Sequence, residues 1–179
     1  MAIYVTGFEP FGNNETNPSL IALEEALSLG YEGSPLKVSY GAVDHFFQSQ
    51  AGTKRRFLLF GLAAQRADLS LEQIAFNETK AKLLDVDGLP PKMPFIEENE
   101  VISLQTSINL EDLSLKLSEE KIPNHISFDA GRYLCNYSYF KALLCTGGDA
   151  LFVHIPALSP TFDEQMLRKA TRILLSFLD

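Results

Sequence analysis

The chain has 179 residues, 46% of them hydrophobic and 21% charged. That length suits one domain spanning residues 1–179, able to bury roughly 70% of its unfolded surface, and the balance is that of a globular protein rather than a disordered one. A net charge of −8 argues against nucleic acid and anionic membranes as partners.

Met1–Gly7 is apolar but lacks a basic start and soon meets Glu9, so it does not read as a signal peptide. No apolar run reaches the 18 or so residues that would span a membrane. Cys135 and Cys145 lie ten apart in one expected helix, which is neither a disulfide framework nor a zinc motif. Three histidines without ligand spacing imply no metal, and no cofactor motif is present. The cysteine usage points to a reducing, cytoplasmic compartment.

Ile3–Thr6 reads as a buried strand ended by Gly7. Asn17-Pro18 starts a helix, with asparagine as cap and proline at the first helical position. A second strand is expected over Leu36–Tyr40 and a short helix over Asp44–Ala51. Phe57–Gly61 is a strong buried-strand signal, and Leu69–Phe76 alternates as another. Proline, glycine and acidic residues make 84–100 a long loop. Leu110–Glu119 and Arg132–Leu144 are the next helices, with a strand at His125–Ser127 between them. Ala150–Ile155 is the last strand. Thr161 and Glu164 fit a capping box for a final helix with an apolar stripe from Met166 to Leu178. Strands alternating with helices predict an α/β fold, a three-layer α/β/α sandwich around a mainly parallel, twisted sheet. In such sheets, sites gather at the carboxyl ends of strands. Gly7–Asn13, Gly61–Arg66, Ser127–Cys135 and His154 all follow or end expected strands, so one edge can hold them together.

The chemistry begins with Cys135, placed just after the Gly131 turn at the expected start of a helix. Free N–H groups and the positive end of the dipole favour a thiolate there. His154 stands nineteen residues later within the strand-like run Phe152–Pro156. A thiol and an imidazole on separate elements point to cysteine-based acyl transfer. Each residue has a plain alternative: a free cysteine packs as a small hydrophobe, a lone strand histidine is structural, and an edge carboxylate such as Glu72 is solvated. His45 and His125 read as surface or packing residues, and Cys145 as facing the core or the helix end.

Four motifs together resemble one family. Thr6-Gly7-Phe8-Glu9-Pro10-Phe11-Gly12 followed by Asn17-Pro18 resembles the N-terminal signature of the pyroglutamyl peptidase I (pyrrolidone-carboxylate peptidase) family. Gly61 to Arg66, then Leu69, Glu72 and Asn77, is similar to its segment bearing the catalytic glutamate. Asp129-Ala130-Gly131 through Cys135-Asn136 is similar to its nucleophile motif, and Val153–Pro156 to its histidine motif. The resemblance implies that Cys135 is the nucleophile, His154 the general base and acid, and Glu72 the residue that orients His154. It implies a substrate class of peptides with an N-terminal pyroglutamyl ring. Phe8, Phe11, Leu83 and Tyr133, with Leu134 adjacent, match its pocket positions. Core packing is the plain alternative for Phe8 and Phe11, and Asn17 reads as a cap. Backbone groups near Gly61-Leu62 would bond the lactam, and the Cys135 N–H an oxyanion.

The chain departs from the family pattern in three places. Ala64-Gln65 replaces a glycine pair, Lys82 stands where arginine is usual, and the chain is shorter in 44–56, between Cys135 and His154, and after His154. These departures leave a homo-oligomer and a monomer both open. They also define a second reading, a weakly active member that binds blocked peptide N-termini. A nucleotide-binding domain is disfavoured, because neither G-x-G-x-x-G nor a P-loop occurs.

Overall fold

The computed structural model describes residues 1–12, 16–80, 84–92 and 94–179. Six strands form the central sheet, in the order β2 (Glu32–Leu36), β1 (Ala2–Phe8), β3 (Arg55–Leu62), β8 (Ala150–Ile155), β4 (Leu69–Glu72) and β7 (Asn124–Ser127). Every neighbouring pair is parallel except β4 with β8. A separate antiparallel ribbon joins β5 (Ile74–Phe76) to β6 (Ser103–Gln105).

Alternation along the strands builds two cores. Leu58 and Phe60 of β3 face one side with Leu151, Val153 and Ile155 of β8, under α1 (Pro18–Ser28), α3 (Leu110–Glu119) and α5 (Glu164–Leu178). Phe57 and Leu59 face the other side, under α2 (Tyr40–Ser49) and α4 (Leu134–Thr146). A period of two puts successive side chains on opposite faces, so each central strand is buried on both. The expected α/β architecture with a mainly parallel sheet is what forms.

Local signals explain most boundaries. Asn17 caps α1, accepting from the Ser19 N–H at 3.1 Å, with Pro18 at the first helical position. Gly7 lets α1 lie close on β1, since a Cβ there would stand 2.3 Å from the Ser19 carbonyl oxygen. Four expectations are corrected. The second strand is Glu32–Leu36, not Leu36–Tyr40: it lies on the sheet edge, where Pro35 is tolerated, while Ser39 caps α2. The run 69–76 is two strands, because Gln73 turns its N–H to the Ser127 carbonyl at 2.7 Å and its carbonyl to Thr106 N–H at 3.1 Å. The last helix is capped by Asp163, which accepts from Met166 N–H at 2.8 Å, not by Thr161, whose hydroxyl meets Ser159. The helix that carries Cys135 begins at Leu134 rather than about Arg132 and runs to Thr146. Among the described residues, no helix is long and apolar enough to cross a membrane.

Candidate active site

The strand alternation that buries Leu69 and Leu71 in one core turns Ser70 and Glu72 of β4 to the face beneath α4. The same logic turns Phe152 and His154 of β8 to that face. Register sets Ser70 opposite His154 and Glu72 opposite Phe152, so Glu72 is diagonal to His154 and within side-chain reach. Its Oε1 lies 2.6 Å from His154 Nδ1, with Glu72 fully buried and His154 5% exposed. The Cys135 side chain lies near enough to the imidazole to act on its charge. With Nδ1 engaged by Glu72, Nε2 is the nitrogen left for the thiol.

Burial pulls the His154 pKa down, but the Cys135 thiolate and then the Glu72 carboxylate raise it to about 9. Burial also pushes Glu72 up; the hydrogen bond and charge of His154, the Ser127 hydroxyl and the Arg66 charge outweigh it and hold the carboxylate below its ordinary range. Glu72 and His154 thus form a buried pair in which opposite charges stabilise one another.

Cys135 is the second residue of α4. Tyr133 holds the cap position with no side-chain hydrogen bond to the helix, so the first-turn N–H groups and the helix dipole face the sulfur. Gly131, at φ +83°, makes the turn into the helix. Asp129 accepts from the Gly131 N–H at 2.9 Å and from Arg132 at 2.6 Å, and the Arg132 guanidinium lies 4.1 Å over the Phe76 ring. Asn136, fully buried, accepts from the Phe76 N–H and donates to its carbonyl, both at 2.8 Å. That pair of bonds stitches the first turn of α4 to β5.

Three contributors go beyond the sequence reading, where Gly61 enters only through backbone groups and Asn136 and Arg66 carry no role, although each stands inside a quoted motif. Gly61, opposite His154 in register, leaves room for the thiol: a Cβ there would stand 2.7 Å from the Phe152 ring and 3.0 Å from Cys135 Sγ. Asn136 is the second. Arg66 is the third, with Nη1 2.6 Å from Glu72 Oε1 and Nη2 donating to the Asp129 carbonyl at 3.0 Å. Membership of a motif was the only signal; the contacts cross loops of unrelated length.

A pocket opens beside Cys135, lined by Phe8, Phe11, Tyr133 and Leu134 together with Asn17, Val38 and Leu62. Phe8 is also 4% exposed and packed in the α4-side core, so it lines and supports at once. The Tyr133 hydroxyl is tied to the Leu84 carbonyl at 3.0 Å. Leu83 and Lys82 lie outside the described residues. Ala64 and Gln65 edge an adjoining hollow that shares Phe11 and Leu62 with the pocket. Away from the site, His45 is exposed, and His125 pairs with Asp68 at 2.7 Å. Cys145 is half-buried at the far end of α4.

Comparison with known proteins places this geometry. The family model described as pyroglutamyl peptidase matches residues 1–170. A pyrrolidone-carboxylate peptidase of Brevibacillus brevis is 31% identical over 94% of this chain and 82% of its own length. The human pyroglutamyl-peptidase 1 is 26% identical over 97% of this chain and 88% of its own. Among solved structures, the pyrrolidone carboxyl peptidase of Fervidobacterium islandicum matches with a TM-score of 0.87 and 26% identity, covering 98% of this chain and 96% of that one. The chain belongs to the pyroglutamyl peptidase family.

Proposed function

We propose that this chain is a cysteine exopeptidase that hydrolyses the amide bond after an N-terminal pyroglutamyl residue, through a Cys135–His154–Glu72 triad in one catalytic domain over residues 1–179. The observation that carries the reading is the Glu72–His154 contact of 2.6 Å beneath a cysteine at a helix start, beside an apolar pocket. An ordinary thiol is mostly protonated at neutral pH; transfer of its proton to His154 makes the nucleophile. The thiolate attacks the carbonyl that links the ring to the peptide. The negative oxygen of the tetrahedral intermediate is met by the Cys135 backbone N–H at the uncapped helix start. His154 then protonates the departing amine, leaving a thioester on Cys135. His154 next takes a proton from water, which displaces the thiol and frees pyroglutamate. Glu72 fixes the tautomer and stabilises the imidazolium.

The pyroglutamyl lactam is neutral, and Phe8, Phe11, Tyr133 and Leu134 suit a ring without charge. An ordinary α-ammonium placed there without a partner would lose its hydration at a cost of several kcal/mol. The substrate is thus a blocked peptide N-terminus in the cytoplasm, with no metal or organic cofactor called on. The test is release of a fluorescent amine from a pyroglutamyl amide, with glutamyl and prolyl amides as controls. Selective release abolished by a thiol reagent is expected. No release by reduced, folded protein would overturn the reading.

A further inference from the structure

One guanidinium reaches both halves of the site. Arg66 Nη1 lies 2.6 Å from Glu72 Oε1, the same oxygen that lies 2.6 Å from His154 Nδ1. Its Nη2 donates at 3.0 Å to the carbonyl of Asp129, in the turn that delivers Cys135. A buried carboxylate oxygen thus serves two cations when the imidazole is protonated. The Arg66 charge repels a protonated imidazole held by the same oxygen and so offsets part of the attraction that Glu72 exerts on it.

The other groups facing this pair do not duplicate that effect. From β8, the Phe152 ring packs on the imidazole at 4.8 Å. From β7, Ser127 lies beside Glu72 but turns its hydroxyl to the Asp129 carbonyl at 3.5 Å. From α4, Cys135 faces His154 and the Tyr139 hydroxyl donates to the Glu72 backbone carbonyl at 2.7 Å. Arg132 is engaged one layer out, with Asp129 and Glu78. Within this set, Arg66 is the one fixed positive charge on the Glu72 carboxylate.

We propose that Arg66 is a positioning residue that tunes the reacting pair: by sharing Glu72 Oε1 it weakens the carboxylate's hold on the imidazolium, so that His154 can give up its proton to the leaving amine, while its second arm keeps the nucleophile turn in place. The inference rests on the triad reading above. A carboxylate given wholly to His154 would trap the imidazolium and slow the acid step. Arg66 therefore offsets a cost that Glu72 imposes, and it does so from a partly exposed position, with 26% of its side chain accessible.

The chain has only three histidines, so their ring resonances can be followed individually by NMR across pH in the unmodified protein, Arg66→Gln and Arg66→Lys. The His154 midpoint, about 9 in the unmodified protein, is expected to rise in Arg66→Gln by about half a unit or more, since an opposing charge close by has been removed. In Arg66→Lys it should hold. The alkaline limb of kcat/KM for the pyroglutamyl amide should move with it. An unmoved His154 midpoint in Arg66→Gln, or an equal rise in Arg66→Lys, overturns the proposal. If the glutamine variant does not fold, the neutral Arg66→Met takes its place with the same two outcomes. The NMR midpoint needs no turnover, so a chain that fails to hydrolyse the amide refutes the peptidase reading separately.

Discussion

Cys135 and Cys145 sit on one helix, at opposite ends, and the difference between them is one of place rather than kind. Cys135 meets the N-terminal end of α4, the His154 imidazole and the gap left by Gly61. Cys145 lies in the last turn, before Gly147 closes the helix at φ +65°, and its thiol donates to the Gln50 carbonyl at 4.0 Å. Burial pushes the Cys145 thiol up, and the negative end of the helix dipole acts in the same direction. In the proposed reading the same side chain serves as a nucleophile where N–H groups and an imidazole lie near it, and as a packing group where carbonyls do.

The contrast breaks most sharply if the nucleophile is removed. Cys135→Ala should lower kcat/KM for the pyroglutamyl amide by about 10³-fold or more while the circular dichroism spectrum is unchanged; residual activity near the parent value would end the nucleophile assignment. Next comes Gly61→Ala, which forces a methyl against the Phe152 ring and the sulfur. Displacing the thiol by a fraction of an ångström should cost on the order of 10²-fold in kcat, with a stability loss of about 1–3 kcal/mol from overpacking, read by steady-state kinetics and urea unfolding.

A smaller effect sharpens the comparison through pH. The folded pKa of His154 is raised to about 9 from an ordinary 6.5. Its stabilising contribution is therefore complete below about 6.5 and is lost as pH rises through about 9. Unfolding midpoints should fall between pH 7 and pH 10, and the fall should be shallower in Cys135→Ala, which lacks the thiolate partner. Equal slopes would show that the sulfur is not coupled to the imidazole. The smallest effect belongs to the other thiol: Cys145→Ser should leave kcat/KM within about twofold and cost at most about 1 kcal/mol. At neutral pH, iodoacetamide should reach Cys135 well before Cys145, as peptide mass mapping would report.

Much of the fold is legible in the chain because its strands are short, apolar and buried on both faces. Leu110–Glu119 and Ala150–Ile155 fall where the pattern puts them. Glu32–Leu36 does not announce itself, because glycine, serine and proline make a strand only where β1 offers an edge to pair with. Ser103–Gln105 is too short to carry a period, and the break at Gln73 depends on a carbonyl from β7 and an N–H from Thr106. For the site, the motifs brought out Cys135, His154 and Glu72, and the alternation of β4 and β8 accounts for two of them sharing a face. The sharing of one Glu72 oxygen by His154 and Arg66 is invisible along the chain, since it depends on how the 63–68 connection folds back over β4. The same is true of Asn136, whose neighbour Phe76 is sixty residues away.

The ten-residue spacing of the two cysteines has a consequence for oxidation. At 1.5 Å per helical residue they stand about 15 Å apart along α4, beyond the reach of any disulfide. A sulfenic acid formed on Cys135 by peroxide would find no second thiol in this chain, which has only these two cysteines. Rescue must come from a small thiol able to enter the pocket; otherwise the sulfur proceeds to the irreversible acids. The arrangement proposed to prepare the sulfur for acyl transfer thus leaves its recovery from oxidative damage to the thiol supply of its surroundings.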